Sequence, residues 1–90
     1  MALLLAPPPM PADVATGPFG KVFGPDASAK SQVLAGIYTR LAPAAGIPVL
    51  DAGKVVQVDG VDRVHLSAAS HAALGSAVAA VVRRLLPPEP

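Results

Sequence analysis

Residues 2–6, Ala-Leu-Leu-Leu-Ala, form an unbroken apolar run closed by Pro7-Pro8-Pro9, the pattern of a short strand buried on both faces. From 7 to 25 no period holds. Six of those positions are Pro and three are Gly, which predicts a loop, with Val22 and Phe23 as the apolar residues that pin it to the body. Val33, Leu34, Ile37, Tyr38 and Leu41 then recur at three- and four-residue spacing and predict a helix over 27–45 with one apolar stripe. Asp26 or Ser28 offers an oxygen to the unpaired N–H groups of its first turn, Gly46 supplies the stop, and Pro48 lies just beyond. Residues 47–51 predict a second short strand and 55–58 a short extended piece. The last helix is expected from Ser67, a good N-cap, to about Leu86, where Pro87-Pro88 end it. Leu74, Val78, Val81, Val82 and Leu85 share one of its faces, and Arg83 and Arg84 complement the helix dipole in its last turn.

The order strand, helix, strand, helix, with a connection long enough for a right-handed crossover, predicts an α/β unit with a parallel sheet. Two strands are too few for two helices to cover, and parallel sheets are normally buried on both faces. The chain therefore reads as a single partial domain over 1–90 that begins on a core strand. The rest of the sheet is expected from a missing N-terminal half, or from self-association as a homo-oligomer. The proline-rich end, 87–90, is expected to be a disordered tail rather than a ligand for a polyproline-reading module.

Composition narrows the class. Ninety residues, 52% hydrophobic and 14% charged, suit one small ordered domain. Phe19, Phe23 and Tyr38 are the only aromatic residues, so the core is expected to be aliphatic, built from Leu, Val, Ile and Ala. A net charge of +1, with no basic cluster larger than Arg83-Arg84, gives no footprint for nucleic acid. The absence of cysteine excludes disulfides, thiolate metal sites and cysteine nucleophiles. Residues 1–6 lack the basic start and length of a signal peptide, and no stretch approaches the roughly 18 apolar residues of a membrane span. A soluble chain is expected, with the cytoplasm favoured.

Candidate chemistry concentrates in Asp59-Gly60-Val61-Asp62-Arg63-Val64-His65-Leu66-Ser67-Ala68. Asp62 and His65 stand three apart, just before a helix start and after the second strand, where α/β sheets place their sites. In a turn that spacing lets the carboxylate fold back onto the imidazole Nδ1–H and leave Nε2 free as a base. The bland alternative is a turn aspartate beside a half-buried loop histidine. A metal site from Asp59, Asp62, His65 and His71 has no recognised ligand spacing, and none is expected. His71 reads as a surface residue of the last helix. Ser28 and Ser31 suit a helix start, Ser67 an N-cap, and Ser70 and Ser76 lie within the last helix, so none reads as a nucleophile on a strained turn.

Val61-Asp62-Arg63-Val64-His65-Leu66-Ser67-Ala68, followed by His71 and Leu74-Gly75, resembles the last conserved block of the SGNH/GDSL hydrolases. Leu3-Leu4-Leu5-Ala6-Pro7-Pro8-Pro9 is similar to that family's fourth strand and the proline turn after it. Lys30-Ser31, then 45–53, resemble its run into the last strand. The resemblance implies the C-terminal part of a three-layer α/β/α, flavodoxin-like SGNH fold. It also implies an ester hydrolase working by a Ser-His-Asp triad. Asp62 would orient His65, and His65 would act as base and then acid on a small-molecule ester without a cofactor. Two departures qualify it. Arg63 stands where such blocks usually carry Gly, and is expected to point to solvent. There is no Gly-Asp-Ser block and no asparagine, so the family's nucleophile and oxyanion donors have no counterpart here, and the isolated chain is expected to be inactive. The alternative is a non-catalytic α/β module that self-associates or complements a partner chain.

Overall fold

A computed structural model describes residues 2–87. Strand β1 (Leu4–Ala6) pairs in parallel with β2 (Val49–Asp51), Leu4 opposite Val49 and Ala6 opposite Asp51. Between them lie three helices, α1 (Gly20–Phe23), α2 (Ala27–Gln32) and α3 (Leu34–Ala44), and α4 (Ala68–Leu85) follows the sheet. Helix α3 packs against both strands. Leu4 and Ala6 share one side of β1, and Ala6 is fully buried. Leu5, on the other side, is exposed, so the strand is covered on one face rather than on both as its sequence suggests.

The segment 7–25 is less irregular than its proline content predicts. A 3-10 turn spans Ala12–Thr16 and α1 follows it. Val22 and Phe23 do not pin this segment, since both are exposed; Val14, 1% exposed, does. The proline stretch lacks N–H groups to offer a sheet, and its one free amide nearby is met from α2. Met10 N–H donates to Ser31 Oγ (2.8 Å), and Ser28 Oγ–H donates to the Met10 carbonyl (2.9 Å). Both serines are buried for this reason, and neither Ser28 nor Asp26 caps α2 with its side chain. Ser31 Oγ also donates back to the Ser28 carbonyl (2.8 Å). The single helix expected over 27–45 breaks at Val33 into α2 and α3.

Helix α3 ends as its glycine predicts. Gly46 takes φ +71°, its N–H donates to the Pro43 carbonyl (3.0 Å), and Ile47 N–H donates to that of Ala42 (2.9 Å). Those two bonds are a Schellman motif, satisfying carbonyls the helix leaves open. After β2 the chain makes a 3-10 turn, Ala52–Lys54, where the Asp51 carboxylate accepts from Gly53 N–H (3.0 Å). Residues 55–58 do not join the sheet; Val56 instead turns inward and is buried. The buried apolar residues are Ala6, Val14, Ala27, Ala42, Ala52 and Val56, so the core is Ala and Val, while Leu and Ile stay half-covered or exposed. Helix α4 buries none of its residues, and its stripe of Leu74, Val78, Val81, Val82 and Leu85 is only half-covered. The tail expected at 87–90 lies, beyond Pro87, outside the described residues.

Candidate active site

The loop between β2 and α4 is tied at two levels. At its base the Asp59 carboxylate accepts from Ser67 N–H, Ser67 Oγ–H and Ser70 Oγ–H, each at 2.7 Å. Ser67 Oγ in turn accepts from Ser70 N–H (3.2 Å), the expected N-cap. One level up, Gly60 N–H donates to the His65 carbonyl (2.8 Å) and Arg63 N–H to that of Gly60 (3.0 Å). A Cβ at residue 60 would sit 2.5 Å from the His65 carbonyl oxygen, so this closure requires glycine.

Within that closed turn the two oxygens of Asp62 divide the work. Oδ1 accepts from the backbone N–H groups of Val64 (2.9 Å) and His65 (2.8 Å); Oδ2 lies 2.5 Å from His65 Nδ1. Turn aspartate and histidine partner are thus one carboxylate. The backbone N–H of His65, then its ring, then Val64 N–H hold the Asp62 pKa down at about 2. Ionised at neutral pH, the group only accepts, so of the two tautomers of a neutral imidazole it selects the one with the proton on Nδ1 and the lone pair on Nε2. The imidazole is 70% exposed, and Nε2 has no hydrogen-bond partner among the described residues. A hollow of about 340 Å³ lies beside it, lined by residues 59–62 and 65–67. Asp59 is likewise held at about 2, chiefly by Ser67 N–H and then by the two hydroxyls.

Arg63 does not point to solvent. It occupies φ +66°, a region where glycine sits without strain, and its guanidinium reaches back to Asp13 and Thr16. The Phe19 ring stands edge-on to the His65 ring, centroids 6.4 Å apart. Asp13, Thr16 and Phe19 carry no motif, and the sole hint of this contact in the sequence is an arginine at a position suited to glycine. Asp59 is signalled by no more than its distance from Ser67. His71 lies exposed on α4, and among the described residues no three His, Asp or Glu side chains gather to hold a metal ion. Ser28, Ser31, Ser67 and Ser70 are engaged in the bonds above, and Ser76 lies two turns into α4, exposed. A larger cleft, about 430 Å³, between Pro9, Pro11, Gln32 and Val56 holds no titratable side chain. Among the described residues no helix is long and apolar enough to cross a membrane.

No protein-family model and no curated protein matches the sequence. Solved structures do. A carbohydrate acetylesterase from Sinorhizobium meliloti superposes with a TM-score of 0.81 at 36% identity. An aryl esterase from M. smegmatis gives 0.82, also at 36%, and a protein from Agrobacterium tumefaciens described as an arylesterase gives 0.77 at 43%. Each match covers 93% of this chain, which spans 38% of the length of the matched protein. The parallel strand pair, its helices and these similarities place the chain in the SGNH/GDSL family of ester hydrolases, of whose α/β/α fold it carries the C-terminal portion.

Proposed function

We propose that Asp62 and His65 are the aspartate and histidine of a Ser-His-Asp triad for hydrolysis of small-molecule esters. The observation that carries this is the 2.5 Å contact from His65 Nδ1 to a carboxylate already fixed by two backbone N–H groups, with Nε2 open. In that arrangement Nε2 takes the proton of an attacking serine hydroxyl and returns it to the leaving alkoxide, while Asp62 steadies the imidazolium between the two steps. The serine and the oxyanion donors lie outside this chain, a partial domain, so by itself it hydrolyses esters no faster than background. The similar proteins are a carbohydrate acetylesterase and an aryl esterase, so acetyl esters of aryl alcohols and carbohydrates are the substrates to try first.

The test is a fusion of this chain to the region of the S. meliloti acetylesterase that it does not span, assayed with nitrophenyl acetate. Turnover by the fusion, abolished in His65→Ala, is expected. Undiminished turnover in that variant would overturn the assignment, and turnover by the isolated chain that depends on His65 would overturn its inactivity alone. A second reading, a non-catalytic module that self-associates or complements a partner chain, is favoured by Leu5, Val33 and Leu41 standing exposed and by an α4 without a buried residue. A monodisperse monomer in sedimentation velocity would count against it.

A further inference from the structure

We infer that Arg63 is a positioning residue, tying the segment 12–23 to the loop of Asp62 and His65 and so setting the Phe19 ring beside the imidazole. Its Nη1–H groups donate to the Asp13 carbonyl (3.0 Å) and to Thr16 Oγ1 (2.9 Å), and its Nε lies 3.4 Å from the Asp13 carboxylate. These partners come 50 and 47 residues earlier in the chain. The arginine stem runs across Gly17, where an added Cβ would meet Arg63 Cδ at 2.8 Å. From Gly17 the backbone leads directly into Phe19: Gly20 N–H donates to the Gly17 carbonyl (3.0 Å), and Val22 and Phe23 N–H donate to that of Phe19.

The neighbouring side chains do not fix the segment to the loop. Val22 is 76% exposed and Phe23 stands edge-on to Phe19, itself exposed. Val14 anchors the 3-10 turn from the core side, and Arg63 holds it from the loop side. The left-handed conformation at residue 63 is strained for any side chain but is persistent here because the guanidinium has three oxygens to bind. The consequence for catalysis rests on the triad reading of His65; the contact between the two rings does not.

The experiment is a nuclear Overhauser measurement on the 90-residue chain. Cross-peaks between the Phe19 and His65 rings are expected in the parent. Arg63→Gly relieves the strained φ and removes the tether, so those peaks fall severalfold while the Asp62–His65 ring proton and the melting temperature stay near parental values. Thr16→Val, which leaves residue 63 untouched, weakens them in the same direction, and Arg63→Lys, a point charge without the planar fork, restores them in part. Parental peak intensity in both Arg63→Gly and Thr16→Val overturns the proposal, as does their absence from the parent. Simultaneous loss of the Asp62–His65 contact also overturns it, by making Arg63 a general support of the loop. A completed enzyme indifferent to His65 but retaining the ring contact would sink the triad reading and leave the tether standing.

Discussion

Asp62 spends one oxygen on the backbone and the other on the imidazole, and its substitution separates the two roles. Asp62→Asn keeps a carbonyl oxygen for Val64 and His65 N–H but turns an amide N–H toward the ring. That favours the opposite tautomer, with Nε2 protonated and unable to act as base. In the completed enzyme the expected loss of turnover is about 10⁴-fold, with the melting temperature nearly unchanged. Acid acts on the same carboxyl. A folded pKa depressed from 3.8 to about 2 stabilises the closed turn above the unfolded value and loses that contribution as pH falls through the folded one. The Asp62–His65 ring proton is therefore expected to persist at pH 4 and to broaden away toward pH 2. Its disappearance already at pH 5, seen in proton spectra, would contradict a carboxylate so well supplied with donors. Asp59→Ala is expected to speed amide exchange at Ser67, whose N–H the carboxylate accepts, and to leave the far end of α4 as before.

Among the elements, the serines of α2 matter more than its apolar residues. Ser31→Ala leaves the Met10 N–H without a partner in a half-buried position, and the expected cost is about 1–3 kcal/mol by urea denaturation. Gly46→Ala forces an alanine into φ +71° at the end of α3 and is expected to cost about 1 kcal/mol by the same measurement. Both strands, α3's glycine stop and the Ser67 cap of α4 were legible because each rests on local chemistry: an apolar run against proline, a left-handed turn, a hydroxyl before a helix. The break at Val33 was not, because Ser28 and Ser31 look like helix-start residues until their partner, a backbone group 18 and 21 residues earlier, is known. The site divides in the same way. Asp62 and His65 interact across three residues and were readable as a pair, whereas Arg63 finds its partners in a segment without any periodic signal.

At the scale of the molecule, area and shape agree that a face is uncovered. The chain exposes 6018 Å² with a radius of gyration of 15.0 Å. A compact 9.0 kDa protein would expose ~4,900 Å² at a radius of ~12 Å. The excess, about 1,100 Å², is more than the ~800 Å² one partner buries in a standard interface. Addition of the region that the chain does not span in its relatives is expected to raise the melting temperature and to quench the fluorescence of a hydrophobic dye bound to the isolated chain. An unchanged dye signal would show that the apolar stripe of α4 is covered some other way.

The parallel pairing of Leu4 with Val49 has a consequence in time. On a ribosome adding ~5–20 residues per second, β1 leaves the exit tunnel roughly 2–9 seconds before the strand that will pair with it. Through that interval the backbone groups of β1 that β2 will take stand unpaired. Pro7-Pro8-Pro9, which cannot donate to a ladder, marks where any accidental pairing of that strand would have to stop.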